Sequence, residues 1–362
     1  GIYGIARDLA AAGLGKLIKK DVEAIRESKE TVPIFLDYQN TNEGCVIFSG
    51  RLIKNIKNNQ SPEWLVKRLE SIGLKSINCL VDITNFINFD RGRPLHVYDA
   101  SKVSGKIGAR DAQNGEKFIA LDGKEYNLSS GMCVISDKEK VLGLGGIMGG
   151  EQSSSSEDTT DVFLESAYFD PINTALTGRS LNIVSDSRYR FERGVDPEFI
   201  IEGLNLATQM ILDLCGGEAG KISLINNLNF KPKELKFNTK LVHKLTGIKI
   251  PDNEIIKILE SLGFEISDTW NVVIPSWRPD IFGEADLVEE IVRIFGLNNI
   301  KSEPLLNYEQ PTKPILTTKQ KQIKMIKRTI ASRGLLETIS YSFINNKNSK
   351  EFGGGNENLK IV

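Results

Sequence analysis

The sequence is poor in histidine and cysteine, with two histidines and four cysteines among its 362 residues. The cysteines lie far apart in mostly apolar surroundings and follow no metal-ligand spacing; they are Cys45, Cys79, Cys133 and Cys215. This pattern argues against a thiolate metal site and is typical of reduced thiols in a protein core. A cytosolic, cytoplasmic protein is therefore expected.

The sequence also lacks an excess of either charge, because 46 basic residues face 47 acidic ones. Any surface for nucleic acid or membrane must therefore be local. No apolar run approaches the roughly 20 residues of a membrane span, and the N-terminus lacks the layout of a secretory signal. The chain begins at glycine and ends without a helix stop, so we expect it to be a piece of a longer protein.

The length is sufficient for roughly two or three domains, and the pattern predicts an α+β, multi-domain protein. Residues 1–37 are interpreted as the end of a preceding small module and a linker. Residues 38–218 form the first large domain, with a mixed sheet. Strands are predicted at "CVIFSGRLI", "VDITNF", "MCVISD" and "VLGLGG", and the Asp-Gly of "KFIALDGKEYNL" predicts a hairpin. Helices are predicted over "SPEWLVKRLESIGL" and about residues 197–214.

Residues 230–300 show a different pattern, in which two short helices precede a strand and the helix "EADLVEEIVRIFG" follows. This order predicts a small winged-helix-like domain. Residues 301–362 begin with the proline-spaced linker "SEPLLNYEQPTKP" and continue into the start of a further domain. Its basic stretch, Lys313 to Arg333, indicates either a solvated helix face or a contact with a polyanion.

The glycine run "GLGGIMGG", residues 143–150, follows a predicted strand. Its spacing matches neither G-x-G-x-x-G nor a Walker loop, so nucleotide binding is disfavoured. Glycines in this setting more often allow close backbone packing or line the wall of a pocket.

Four carboxylates are clustered in "PSWRPDIFGEADLVEEIVRIFG", namely Asp280, Asp286, Glu289 and Glu290. The last three share a helix face by their spacing, and Asp280 on the preceding loop can fold back over them. Such a cluster suits a hard cation such as magnesium. Alternatively, the acids complement the helix dipole, and Glu289 or Glu290 pairs with Arg293.

Three other polar groups have two interpretations each. The arginines of "SDSRYRFERGVDP" either pair with neighbouring acids or hold a phosphate. A single histidine such as His96, in "RGRPLHVYD", is more often structural than catalytic. A carboxylate flanked by apolar residues, as Glu165 is in "VFLESAYFD", must find a partner to stay buried.

Taken together, these strings resemble the bacterial phenylalanyl-tRNA synthetase β subunit. The strings that carry the resemblance, in family order, are "GIARDLAAAGL", "SPEWLVKRLESIGL", "VDITNFINFDRGRPLHVYD", "LDGKEY", "GLGGIMGGE", "LESAYFDP", "SDSRYRFERGVDP" and "PSWRPDIFGEADLVEEIVRIFG". They cover nearly the whole chain, and the motifs are long.

The resemblance implies an aminoacyl-tRNA synthetase, a ligase that uses ATP and Mg²⁺ to join phenylalanine to tRNA(Phe). It implies an α subunit as partner in an (αβ)2 heterotetramer, with ATP bound and phenylalanine activated on α. Residues about 40–215 match the B3/B4 editing module, which hydrolyses tyrosine wrongly attached to tRNA(Phe). Residues about 230–300 match the B5 domain, and the chain beyond residue 310 resembles the start of an inactive, class II synthetase-like domain. This chain alone is therefore expected to carry only the editing site.

The resemblance also implies site residues. His96, Thr84, Gly145 and Gly146 would line the editing pocket, with Glu165 on the facing strand. A buried acceptor such as Glu165 favours a phenol hydroxyl, and a pocket built for a hydroxyl disfavours the analogue that lacks it. His96 would orient the terminal ribose or the attacking water.

The four clustered carboxylates match a magnesium site that the resemblance associates with the α subunit. Pro279 departs from the usual pattern between Arg278 and Asp280, and leaves the carboxylate in position. Two alternatives stay open: a winged-helix nucleic-acid-binding protein, and a purely structural scaffold for α. Against the first, acidic residues outnumber the single lysine in "DNEIIKILESLG".

Overall fold

The computed structural model describes residues 1–19, 22, 24–38, 43–302, 314–352, 354 and 356. The chain divides into two compact units, Gly1–Lys301 and Ser302–Val362. Among the described residues, no helix is both long enough and apolar enough to cross a membrane.

The larger unit begins with helices and strands that build the first domain. Its helices are α1 (Ile2–Ala11), α2 (Glu63–Glu70), α3 (Cys79–Arg91), α4 (Pro171–Ser180), α5 (Asp186–Phe191) and α6 (Ile200–Cys215). Its strands are β1 (Ile34–Asp37), β2 (Cys45–Lys54), β3 (His96–Asp99), β4 (Ile107–Asp111), β5 (Lys117–Ile119), β6 (Glu125–Asn127), β7 (Cys133–Ser136), β8 (Val141–Leu144), β9 (Met148–Gly149), β10 (Val162–Phe169) and β11 (Glu218–Asn226).

Two main sheets form this domain. One has five strands in the order β1-β4-β7-β8-β9, and the other has four strands in the order β11-β2-β10-β3. Strand β1 runs parallel to β4, whereas the remaining pairs are antiparallel, so the predicted mixed sheet is observed. Strands β1 and β11 reach outside the predicted domain range of 38–218 on either side.

The predicted Asp-Gly hairpin is confirmed. Strands β5 and β6 pair with Ile119 opposite Glu125. Gly123 lies between them with φ of +75°, a backbone conformation that favours glycine.

The segment "VDITNF" is helical, so its prediction as a strand was wrong. It lies inside α3, whose first turn is capped by Asn78: Oδ1 accepts a 3.1 Å hydrogen bond from the Val81 amide. The β-branched residues suggested a strand. Leu80, Ile83 and Ile87, at helical spacing, are instead fully buried in the core beneath the four-stranded sheet, and this burial outweighs the local preference.

The second part of the larger unit has its own core. It consists of strands β12 (Glu234–Lys236), β13 (Glu265–Ile266) and β14 (Asn271–Val273) and helices α7 (Lys240–Thr246), α8 (Asp252–Ser261) and α9 (Glu284–Phe295). The strands form an antiparallel sheet in the order β12-β14-β13. Leu259, Leu287 and Ile291 from the helices pack with Val272 of the sheet, as the predicted winged-helix-like module requires.

The second unit is small. Its described part contains helices α10 (Thr318–Ser332) and α11 (Asn346–Phe352). Thr317 and Gln320 form a capping box that starts α10. Ile323, Ile326 and Ile330 are exposed on this unit, and almost all of the linker predicted at 302–314 lies outside the described residues.

Candidate functional site

A cavity of about 270 Å³ lies where the β3 edge of the four-stranded sheet meets the β9 edge of the five-stranded sheet. Helices α3 and α5 complete its wall. Apolar side chains such as Val81, Leu121 and Phe169 form part of the lining. The polar side chains that line it are Thr84, Asn85, Asn88, His96, Tyr98, Glu165, Asp186 and Ser187.

His96 and Glu165 are cross-strand neighbours in this cavity. In the antiparallel pair of β3 and β10, Glu165 lies opposite His96, and Phe163 lies opposite Tyr98. Residues opposite one another, or two apart on one strand, point to the same face of a sheet. Tyr98 therefore joins His96 and Glu165 at the cavity. Sequence reasoning missed Tyr98, although its position two residues after His96 was the available signal.

Glu165 is a buried carboxylate with a single hydrogen-bond donor. It is 5% exposed, and its Oε2 accepts a 2.6 Å hydrogen bond from the Tyr98 hydroxyl. Burial raises the pKa of Glu165 to about 7, and the bond from Tyr98 opposes part of that rise. No donor from the described residues contacts Oε1. Glu165 thus keeps an acceptor for a ligand and changes charge near neutral pH.

His96 is neutral at neutral pH, because burial lowers its pKa to about 4. Its ring stands edge-on to that of Tyr98, with centroids 4.5 Å apart. Nε2 is buried and lacks a hydrogen-bond partner in the described part of the chain. It lies against Gly149, where an added Cβ would be 2.5 Å from Nε2. Glycine at 149 therefore provides the space that the imidazole occupies.

Helix α3 contributes Thr84 and two asparagines. The Thr84 hydroxyl donates a 2.8 Å hydrogen bond to the Val81 carbonyl and can still accept one from the cavity. Asn85 also lines the cavity, and Asn88 Oδ1 is buried with no partner among the described residues. Asn85 was missed because "VDITNF" was predicted as a strand, and Asn88, just beyond that segment, was missed with it. Asn85 lies four residues after Val81, and Asn88 lies four residues after Thr84, which is the helical signal that was available.

The two predicted pocket glycines have different roles. Gly146, with φ of +70°, lines the cavity. Gly145 does not belong to the lining: an added Cβ there would lie 2.5 Å from Cys133 Sγ and 2.9 Å from the Phe169 ring. Gly145 thus provides close packing against Cys133 and Phe169, next to the lining residues Leu144 and Gly146. The run continues into strand β9, not a helix, which agrees with the weak case for a phosphate loop.

The predicted magnesium carboxylates do not form a ligand set. Arg278 donates to both oxygens of Asp280, at 2.8 and 2.7 Å, and to Glu290 at 2.6 Å. Arg293 donates to Glu290 at 2.7 Å and to Asp8 of α1 at 3.0 Å. These guanidinium groups supply the positive charge that a cation would otherwise provide.

The other two carboxylates point elsewhere. Asp286 caps α9, accepting hydrogen bonds of 2.8 and 2.9 Å from the amides of Phe282 and Gly283. Glu289 is exposed. Within the described ranges no group of three or more histidine, cysteine or acidic side chains could hold a metal. In this structure Asp280, Asp286 and Glu290 are therefore engaged in ion pairs and helix capping, and the four carboxylates are not arranged as a ligand set for magnesium.

The arginines after α4 are also paired. Arg188 donates to Glu192 at 3.0 Å, Arg190 to Asp186 at 3.3 Å, and Arg193 to Glu192 at 2.8 Å. The ion-pair interpretation of this segment is confirmed.

Three family models match the chain in sequence order. They are the B3/4 domain (residues 44–216), the tRNA synthetase B5 domain (residues 235–297) and the phenylalanyl tRNA synthetase beta chain CLM domain (residues 307–362). The cavity lies within the first of these ranges.

Curated relatives match over the full chain. The phenylalanine–tRNA ligase beta subunit of Mesorhizobium japonicum is 50% identical over 365 residues, which cover 100% of this chain and 45% of the relative. That of Brucella abortus (strain 2308) is 46% identical over 366 residues, covering 100% of this chain and 46% of the relative. The chain thus spans about half the length of the curated relatives it matches.

A solved N-terminal fragment of the phenylalanyl-tRNA synthetase beta-subunit from Pyrococcus horikoshii is 19% identical, with a TM-score of 0.39, and covers 81% of this chain and 82% of its own. The three family models and the full-chain identity to the bacterial relatives are far more specific. The chain belongs to the family of phenylalanine–tRNA ligase beta subunits.

Proposed function

We propose that this chain supplies the editing site of a phenylalanine–tRNA ligase, and that the cavity between α3, β3 and β10 hydrolyses tyrosine wrongly attached to tRNA(Phe). The environment of Glu165 is the observation that best supports the proposal. Glu165 is a buried carboxylate in the cavity lining, with one oxygen held by Tyr98 and no donor from the described residues to the other. At about 270 Å³, the cavity is near the small end of ligand pockets, which suits a single amino-acid side chain.

Glu165 discriminates by the phenol hydroxyl, the only difference between tyrosine and phenylalanine. A tyrosyl ester donates that hydroxyl to Glu165 Oε1, whereas a phenylalanyl ester leaves the buried oxygen without a donor. An unpaired buried acceptor costs about 1–3 kcal/mol, and more when it is charged. This cost favours tyrosine by roughly five-fold to more than a hundred-fold.

Hydrolysis adds one water across the ester, releasing tyrosine and restoring the terminal ribose hydroxyl of the tRNA. His96, with a pKa of about 4, is too weak a base to take the proton efficiently at neutral pH. We therefore assign it a positioning role, in which it orients the ribose or the attacking water. The Thr84 hydroxyl and the Asn88 amide oxygen, both at the cavity, are further groups for holding the substrate.

In this proposal, phenylalanine is activated on a different subunit. The glycine run lacks phosphate-loop spacing, and Asp280 and Glu290 are paired with Arg278. ATP and the magnesium used with it belong to an α subunit, with which the complete beta subunit forms an (αβ)2 assembly on tRNA(Phe). The match of residues 307–362 to the beta chain CLM domain supports this partnership.

The proposal is tested by deacylation of tyrosyl-tRNA(Phe) and phenylalanyl-tRNA(Phe) with the full-length beta subunit and its α subunit. Glu165→Ala should lower the tyrosine-to-phenylalanine rate ratio at least ten-fold at pH 8, because it removes the acceptor. Glu70→Gln changes an exposed carboxylate at the end of α2 and is the matched control. Unchanged selectivity in Glu165→Ala would refute the proposal.

A further inference from the structure

Tyr98 contacts both principal polar groups of the cavity. Its hydroxyl donates to Glu165 Oε2 at 2.6 Å, and its ring packs edge-on against His96 at an interplanar angle of 81°. The two contacts come from different parts of the side chain. They can therefore be removed separately by substitution.

The position of the Tyr98 hydroxyl is fixed by packing. The residue is 2% exposed, and its backbone forms a bridge with Ser154. Its ring lies 6.4 Å from that of Phe163, and a Cβ added at Gly143 would be 3.6 Å from the hydroxyl. The hydroxyl is therefore held beside the carboxylate with little freedom to turn away.

We propose that Tyr98 is a specificity-determining positioning residue: its hydroxyl holds Oε2 of Glu165 and thereby presents Oε1 to the cavity as a single oriented acceptor. The inference rests on the proposed function, since it concerns how Glu165 selects a phenol. A carboxylate with one oxygen fixed loses less conformational freedom when a ligand binds the other. It also remains an acceptor, because a hydrogen bond to the charged form favours that form.

Glu165 is expected to change charge near neutral pH, whereas the titratable groups packed around it keep theirs. Burial raises the pKa of Cys45 on β2 well above its usual value and that of Cys133 on β7 to about 12, so both thiols stay protonated. His96 on β3 is neutral, and Tyr98 remains a donor because burial raises its pKa well above its usual value. From α5, Asp186 lines the cavity and pairs with Arg190.

The test is Tyr98→Phe in the full-length beta subunit with its α subunit, measured by deacylation of both esters from pH 6 to pH 9. Loss of the hydroxyl removes the bond that lowers the pKa of Glu165, so the midpoint of tyrosine selectivity should move to higher pH. At pH 7 the selectivity should fall about three- to ten-fold, with little change in phenylalanyl-tRNA hydrolysis. Tyr168→Phe removes a hydroxyl from the same strand as Glu165, outside the cavity lining, and should match the wild type.

A double variant separates positioning from general damage. If Tyr98 acts through Glu165, Tyr98→Phe should have no further effect on selectivity in a Glu165→Ala background, which has no acceptor to position. Independent losses in the double variant, or an unshifted pH midpoint in Tyr98→Phe, would overturn this inference. If Glu165→Ala itself keeps full selectivity, the proposed function fails instead. Equal loss on both esters at every pH would show a structural role for Tyr98 and also overturn the inference.

Discussion

Glu165 and Glu290 are buried to the same extent, each 5% exposed, yet they lie in opposite electrostatic environments. Burial raises the pKa of Glu165 to about 7, because its one donor is a neutral hydroxyl. Burial acts on Glu290 in the same direction, but hydrogen bonds and charge from Arg278 and Arg293 outweigh it and hold the pKa below its usual value. The arginine partners of Glu290 hold it as an ion-paired carboxylate, whereas the neutral partner of Glu165 leaves that carboxylate ready for a ligand.

The same difference separates the two candidate sites. The Glu290 region is saturated: its acids and arginines join α9 to its preceding loop and, through Asp8, to α1. The cavity leaves polar atoms without protein partners, namely Asn88 Oδ1 and His96 Nε2, in the part of the chain that the structure describes. Unsatisfied buried polar groups are costly, so the presence of two of them in the lining of one cavity supports a binding site there.

Arg278→Met should have the largest effect on stability, because it leaves Glu290 and Asp280 without their shared partner. We expect a loss of about 2–4 kcal/mol in the free energy of unfolding at pH 7, moderated by Arg293, which remains. Urea denaturation followed by circular dichroism measures it. Arg278→Lys keeps the charge without the two-pronged geometry and should lose less. If Arg278→Met is as stable as the wild type, the account of Glu290 as a carboxylate stabilised by arginine is wrong.

Glu165→Gln and Glu290→Gln should show opposite pH dependences. The folded-state pKa of Glu165, about 7, exceeds its ordinary value of 4.5, so the wild type loses stability as pH rises through that window. Glutamine does not titrate, so Glu165→Gln should gain up to about 3 kcal/mol on the wild type between pH 4.5 and pH 7.

For Glu290 the sign is reversed. Its folded-state pKa is lowered, so its stabilisation is present at neutral pH and is lost as pH falls through that pKa. Glu290→Gln should therefore be destabilised at pH 7, with a deficit that shrinks on acidification. Parallel pH profiles for the two variants, measured by denaturation from pH 2 to pH 8, would contradict the contrast.

Magnesium should have the smallest effect. Because arginines already neutralise Asp280 and Glu290, millimolar Mg²⁺ should change the stability of this chain by less than about 0.5 kcal/mol. Thermal unfolding with MgCl2, and with ionic-strength-matched NaCl as control, measures it. A saturable, magnesium-specific stabilisation that disappears in Asp280→Asn would restore the metal site.

The sequence predicted much of the fold but less of the site. Periodicity and turn residues were enough for the hairpin at Gly123 and for helices α2, α6 and α9. The prediction missed α3 because β-branched residues were weighed above the Asn78 cap and the spacing of the core residues. With α3 as a strand, Asn85 and Asn88 could not be brought to the cavity.

The carboxylate cluster shows a second limit. Spacing along a helix predicts which acids share a face, but it does not predict which hydrogen-bond donor each carboxylate contacts. Arg278 precedes Asp280 by two residues, yet its reach to Glu290 depends on how the loop folds back onto α9. The surroundings of Gly145 were not predicted for the same reason. Its close packing against Cys133 depends on how the strands pack, which cannot be predicted from the local sequence.

The central claim is that Glu165 recognises a phenol hydroxyl, and its most direct test is the ionisation of this carboxyl group. The Glu165 δ-carbon is followed by ¹³C NMR, with Glu165→Gln for assignment, as pH is varied in the presence of non-hydrolysable tyrosyl- or phenylalanyl-adenosine 3′-amide. We predict that the tyrosyl compound lowers the pKa of Glu165 from its value near 7, because its hydroxyl donates to the carboxylate. The phenylalanyl compound should leave that pKa unchanged or raise it. Identical titrations with the two compounds, at concentrations where both are bound, would contradict the claim.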